Sequence, residues 1–213
     1  MRVISNSAIS LDGRLHTNDE RPAMLGSRRD LQRMRALRAQ ADAVLVGGAT
    51  FRRWPIPAPP EDGALLARTR PYWNVVVSRQ LDIVPRPSFV EESRIQKLFL
   101  TTPGYRAPDC AAEIEIFSGE NIPINWILDV LSQRGIGTLL LEAGGDLLSQ
   151  FLAADAVDEM YVTLCPLLIG GDAQAGRLVG ATLPAPAIRR LHLHAAEQIE
   201  DELFLHYLLR KST

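Results

Sequence analysis

The sequence holds few cysteines, little excess of either charge and no long apolar run, and each shortage removes a class of protein. Its two cysteines, Cys110 and Cys165, cannot make a disulfide framework and lack the paired spacing of a metal knuckle. Two free thiols suit a cytoplasmic chain. A formal net charge of −2 over 213 residues exerts no general pull on nucleic acid or an anionic membrane. Any anion bound here must be caught by local geometry. No stretch approaches the roughly 18 apolar residues of a membrane helix, and "MRVISNSAISLDG" turns polar too early for a signal peptide. G-x-G-x-x-G and G-x-x-x-x-G-K-[ST] are both missing, which disfavours a Rossmann domain and a P-loop NTPase.

What is present reads as one soluble domain over residues 1–213. Apolar residues make up 46% of the chain and charged residues 23%, ordinary for a packed globular fold. "RVISNSAI" has strand character and ends at the Asp-Gly turn of "SLDG". Ser27 is placed to cap a helix over "RRDLQRMRALRAQ", whose apolar positions 31, 34 and 37 keep helical spacing. Further strands are expected at "DAVLVGGAT", "YWNVVVS", "KLFLTT", "GTLLLEAGG" and "VDEMYVTLCPLLIGG", the last interrupted at Pro166. "INWILDVLSQRG" and "GDLLSQFLAAD" read as helices, and "PIPAPPEDG" as irregular loop. "APDCAAEIEIFSGENIP" is expected to be a loop with one short strand. The C-terminal "AIRRLHLHAAEQIEDELFLHYLLR" reads as two antiparallel strands. Apolar strands alternating with helices predict an α/β three-layer sandwich around a mixed, mostly parallel sheet that ends in an antiparallel hairpin.

Two strands leave the sheet through glycines: "LVGGAT", with Gly47 and Gly48, and "LLLEAGG", with Gly144 and Gly145. Strand carboxyl ends share one edge of a parallel sheet, where ligands bind. Glycine admits a close ligand, and the first amides of the next helix point outward without helical partners. Such amides make a phosphate site on a weakly acidic protein. The alternative is that each Gly-Gly only permits a tight turn. "LLIGG" has no obvious helix after it and is read as a turn.

In order and spacing, "SNSAISLDGRL", "LRAQADAVLVGGAT", "VVVSR", "LLLEAGGDLLSQFL" and "VDEMYVTLCPLLIGG" resemble the riboflavin-biosynthesis pyrimidine reductases. These include the reductase domain of the bifunctional deaminase-reductase and share the dihydrofolate reductase fold. The resemblance runs over residues 2–172 and weakens at 52–70 and 103–122. It implies an NADPH-dependent oxidoreductase that reduces a ribosylaminopyrimidinone 5′-phosphate to its ribityl form. The diphosphate of NADPH would lie on Gly144, Gly145, Asp146 and Leu147, near Gly47, Gly48, Thr50 and Thr101. Ser78 and Arg79 resemble the pair that meets the adenosine 2′-phosphate, a partner suited to a guanidinium fork. By itself, Ser-Arg after a strand is a turn with a solvated arginine.

The same resemblance puts Asn6, Asp12, Arg38 and Glu142 at the substrate. A buried carboxylate ending a strand needs donors or must be protonated, and a diaminopyrimidinone offers amino and ring N–H groups to Glu142; capping its own turn is the competing role. Asp12 could hold a ribose hydroxyl or relay a proton, or simply shape an Asp-Gly turn. Asp12 and Glu142 are the candidate acids. Arg38 faces the substrate phosphate or lies on the helix surface.

After "GGAT" this chain has "FRRWPIPAPPEDG" where the family has an Asp-Asp-Pro segment followed by Leu-Thr-Val-Arg, and "AMLGS" where it has Trp-Ile-Thr. Substrate identity is therefore the open question, with two alternatives. One is a reductase of this fold acting on another substrate such as a dihydropterin; the other is a catalytically inactive nucleotide-binding regulatory or assembly protein. Family members imply a homodimer, to which the C-terminal strands could contribute. His192, His194 and His206 lack a completing carboxylate or cysteine, so no metal is expected.

Overall fold

A computed structural model describes residues 1–17, 25–171, 176–180, 183, 188 and 190–209. It contains strands β1 (Arg2–Ser10), β2 (Ala43–Gly47), β3 (Tyr72–Val77), β4 (Ile95–Thr101), β5 (Glu113–Ile116), β6 (Thr138–Leu141), β7 (Glu159–Cys165), β8 (Leu191–Ile199) and β9 (Glu202–Leu209). Helices are α1 (Arg28–Gln40), α2 (Gly48–Arg53), α3 (Asp62–Leu66), α4 (Pro87–Glu91), α5 (Ile124–Gln133) and α6 (Gly145–Ala153). The strands form one sheet in the order β5-β4-β3-β2-β6-β1-β7-β9-β8. The expected α/β class, with a mostly parallel mixed sheet closed by an antiparallel hairpin, is the one observed. Helices α3 and α4 were not anticipated; α3 begins inside the last two residues of the expected proline loop, and α4 starts on a proline. Residues 23 and 24 of "AMLGS", and residues 187, 189 and 210 of the expected hairpin, lie outside the described residues.

The chain divides into two compact units. The first comprises Met1 and residues 35–140. Here β2, β3, β4 and β5 pair in parallel. A parallel strand covered on both faces must be apolar throughout, and Val75, Leu98, Phe99 and Leu100 are all fully buried. Phe51 of α2, Phe89 of α4 and Phe99 of β4 meet edge-on or tilted, with the Phe51–Phe89 centroids 4.9 Å apart. Such pairs add about 0.5–1.5 kcal/mol each beyond their buried area, enough to fix two short helices that propensity would not hold. Helix α5 ends where Gly135 takes φ 73°, and the amides of Gly135 and Ile136 return to Ser132 and Leu131. A left-handed residue there leaves glycine as the unstrained choice.

The second unit holds residues 2–34 and 141–213. Strand β1 runs parallel to β7, with Asn6 beside Tyr161 and Ala8 beside Thr163. Strand β9 is antiparallel to β7 and to β8. Glu200, in the β8–β9 turn, holds φ 54° despite its side chain. β1 departs from the apolar rule: Ser5, Asn6, Ser7 and Ser10 are all buried. Strand β8 is last in the order, and all but its final residue are exposed.

Candidate active site

The second unit contains the carboxylates. Strand β6 stops at Leu141, and Glu142 follows half-buried. Its charge is felt at Asp30, a residue 7% exposed in the first turn of α1. Burial raises the Asp30 carboxyl above the usual carboxylate range; Glu202 and Glu142 add to the rise, while the Thr163 hydroxyl and Arg33 oppose it. Arg33 is pushed the other way by burial. Its Nη2 donates to Thr163 Oγ1 at 2.5 Å, and its guanidinium lies 4.8 Å from the Phe204 ring centroid. Glu202 accepts both the amide (2.7 Å) and the hydroxyl (2.5 Å) of Ser27. Ser27 also takes the cap role read for it, accepting the Arg29 amide at 3.1 Å.

Asn6 lies in the middle of β1, 8% exposed, and its Oδ1 has no hydrogen-bond partner. A buried amide oxygen without a donor is costly, so this position calls for a donor the protein does not itself provide. Asp12 is exposed in the turn after β1. It accepts from Ser10 Oγ at 2.6 Å, from the Ile169 amide at 3.1 Å and from the Gly170 amide at 2.7 Å. These donors hold its pKa at about 2, well below the usual range.

Helix α6 begins at Gly145 behind Gly144, which has no side-chain cap. The main chain of residues 177–180 is packed on it: a Cβ on Gly145 would lie 2.1 Å from the Arg177 carbonyl oxygen. A Cβ on Gly180 would lie 2.2 Å from Asp146 Oδ1 and 2.8 Å from its amide nitrogen. Asp146 is exposed and Leu147 half-buried. Gly144, Gly145, Asp146 and Leu147 run in succession at the start of α6, beside Gly180, which sequence reasoning did not include.

The first unit contains the cationic residues. Gly47 leads into α2, and Gly48 is its buried first residue. A Cβ on Gly48 would lie 2.6 Å from Ser78 Oγ and 3.4 Å from an Arg52 guanidinium nitrogen. Gly48, Ser78 and Arg52 are therefore neighbours, and Thr50 is half-buried one turn on. Arg79 is exposed. Its carbonyl accepts from Thr101 Oγ1 and Thr102 Oγ1, both at 2.9 Å. Thr101, wholly buried, holds the Arg79 backbone with its hydroxyl, and Thr102, unremarked in the sequence, does the same. Arg38 is half-buried and its Nη1 reaches the Pro59 carbonyl at 3.5 Å. It faces the proline segment rather than standing free on the helix.

Of the three histidines in the C-terminal hairpin, His206 bonds Glu159 (Nε2 to Oε2, 2.9 Å) and stacks on Tyr161, with centroids 4.0 Å apart. A register shift between Leu193 and Ala195 interrupts the strand at His194. Among the described residues no cluster of metal-type ligands exists, and no described helix is long and apolar enough to cross a membrane.

A half-buried carboxylate, Glu142, precedes a glycine-led helix on a mostly parallel sheet with a C-terminal hairpin. The chain belongs to the RibD C-terminal domain family, whose sequence model matches residues 1–205. It is 27% identical over 226 residues to the 2,5-diamino-6-ribosylamino-4(3H)-pyrimidinone 5′-phosphate reductase of Methanothermobacter thermautotrophicus, covering 98% of each chain. It is 27% identical over 180 residues to the protein of the same name from Archaeoglobus fulgidus, covering 79% of this chain and 82% of that one. A pyrimidine reductase-like protein from Corynebacterium diphtheriae superposes with a TM-score of 0.78 at 18% identity, over 99% of this chain and 92% of the other. Acinetobacter baumannii RibD gives 0.77 at 20% identity over 98% of this chain, which spans only 58% of RibD. The two structural likenesses carry the fold.

Proposed function

We propose that the protein is an NADPH-dependent reductase that converts the ribosylamino side chain of a diaminopyrimidinone 5′-phosphate to a ribitylamino chain in riboflavin biosynthesis. One observation carries this reading: a relative of that name is matched over 98% of both chains. The residues fit the substrate and cofactor chemistry. Ser78 with Arg52 beside Gly48, and Arg79 held by two threonines, supply a hydroxyl and guanidinium groups for a 2′-phosphate. The unpartnered Asn6 Oδ1 and the half-buried Glu142 are acceptors for the N–H groups of a diaminopyrimidinone.

NADPH, when bound, supplies the hydride; everything else falls to this chain's own groups. The α6 amides behind Gly144 receive the diphosphate. Glu142 and Asn6 orient the pyrimidinone. The opening of the sugar needs a proton; the role of Glu142 is that of an acceptor holding the pyrimidinone. Residues 1–213 act as one reductase domain in the cytoplasm, in keeping with two free thiols. Strand β8, an exposed nine-residue edge, presents unpaired main-chain groups of the kind that recruit a second strand, and we assign the homodimer contact to it.

The test is fluorescence titration with NADPH followed by turnover of the pyrimidine phosphate. Binding and turnover together are expected. Tight binding without oxidation by any pyrimidine or pterin would replace this reading with that of a nucleotide-binding regulatory protein.

A further inference from the structure

The Asp12 turn reaches much further than an Asp-Gly turn needs to. Asp12 takes the amides of Ile169 and Gly170, more than 150 residues along the chain. Gly170 and Gly171 hold φ 66° and 88°, left-handed values that glycine adopts without strain. Three neighbours extend the attachment. Arg14 Nη2 donates to the Gly171 carbonyl at 2.8 Å. The Leu15 amide donates to the Gly176 carbonyl at 2.8 Å, and the Leu178 amide to the Gly13 carbonyl at 3.3 Å. Arg14 and Arg177 form an antiparallel bridge.

Residues 176–180 are thus strapped to the turn at one side. On the other they lie against α6, where Gly145 and Gly180 approach too closely for any side chain at either position. Asp12, Gly13, Leu15, Ile169, Gly170, Gly180 and Asp146 all belong to one unit.

We propose that Asp12 is a positioning residue: by pinning its own turn to Ile169 and Gly170 it sets the Gly13 and Leu15 main chain that holds the strap of residues 176–180 against Gly145 and Asp146, and it is not the proton donor of the reaction. The strap forms one wall of the diphosphate site and brings the Gly180 main chain beside the first amides of α6. This rests on the reading that α6 receives the diphosphate of NADPH. A carboxylate held at a pKa of about 2 by a hydroxyl and two amides carries no proton to give near neutrality, which agrees with the assignment.

Two variants of the whole protein test it. Asp12→Ala removes the pin. Gly180→Ala leaves the pin and wedges a methyl between the strap and Asp146; no left-handed φ is required at Gly180, so the change is steric. Both are expected to raise the dissociation constants of NADPH and NADH alike by about tenfold, the worth of one charge-assisted contact. KM for NADPH should rise with kcat preserved at saturating cofactor, and hydrogen exchange should quicken at the Leu178 amide in Asp12→Ala. A proton donor would behave otherwise: kcat would fall, cofactor affinity would hold, and the acidic limb of the pH–rate profile would vanish. That result, unchanged affinity in both variants, or normal affinity in Gly180→Ala beside a weak Asp12→Ala, overturns the proposal. A native protein that binds no NADPH at all removes the cofactor reading and the strap's role together, whereas tight native binding that neither variant weakens removes the strap's role alone.

Discussion

Thr163 donates its hydroxyl to the carboxylate of Asp30, joining the middle of β7 to the first turn of α1. The same oxygen accepts from Arg33 Nη2, so one buried hydroxyl serves an acid and a base that are 3.8 Å apart. The pair is buried, and the Arg33 Nε has no partner. Attraction across such a pair does little more than offset its desolvation; the hydroxyl between them makes burial tolerable.

Thr163→Val keeps the shape of that side chain and removes both bonds. Leaving buried polar groups unsatisfied costs about 1–3 kcal/mol, and each kcal/mol lowers Tm by about 2–4 °C in a chain of this size. A calorimetric scan should show that fall. Because the pair is shielded from solvent, 1 M salt should not erase the difference. An unchanged Tm would mean that α1 is held by its apolar face alone.

How much of this was legible depends on the range of the contact that fixes each residue. Helix α1 was readable to its observed bounds, because its apolar spacing and the Ser27 cap are local. Strands β2 and β6 were equally plain, since burial on both faces favours an apolar run; β1, with its buried serines, and the short β5 do not follow that rule. Glu142 and the glycines before α6 stood out because a charge and two glycines end such a run. Asp12 is a catalytic or substrate-binding candidate in the sequence, with an Asp-Gly turn as the competing role; its partners at Ile169 and Gly170 are invisible to any short window. Gly180 was unreadable for the same reason, as its contact with Asp146 exists only once the chain has folded. Thr101 could be placed at the sheet edge but not oriented, and its hydroxyl turned out to serve the Arg79 carbonyl. Helix α4 is held by Phe89 against Phe51 and Phe99, a tertiary cause with no periodicity to announce it.

Arg79→Ala should discriminate between the two nicotinamide dinucleotides. A guanidinium on a 2′-phosphate is worth about 1.5–3 kcal/mol, or roughly tenfold to a hundredfold in dissociation constant. NADPH should weaken by that factor and NADH should not change. Arg52→Ala should follow in the same direction, since its guanidinium lies beside Gly48 and Ser78. Equal losses for both dinucleotides, measured by fluorescence titration, would take Arg79 away from the 2′-phosphate.

Glu142→Gln preserves volume and one carbonyl acceptor but turns the other oxygen into a donor. Cofactor affinity should hold, because nothing at Gly144 or Gly145 is altered. Facing an N–H group of the substrate, the new amide should lower kcat/KM by about tenfold to a hundredfold, the value of a charged hydrogen bond. Steady-state kinetics with the pyrimidine phosphate decide it. Unaltered turnover would return Glu142 to capping its own turn.

The sign of the Asp12 contribution to stability with pH follows from its depressed pKa. Its ordinary value is 3.8 and its folded value about 2, so the unfolded chain binds the proton more readily than the folded one. Stability from the Ile169 and Gly170 bonds is therefore complete above pH 3.8 and is lost as pH falls through about 2. The Tm of the native protein should exceed that of Asp12→Ala by a constant amount from neutrality down to about pH 4, and the gap should close below that. A gap that opened or closed between pH 5 and 7 would assign the titration to another group and leave the carboxylate's hold on the strap without support.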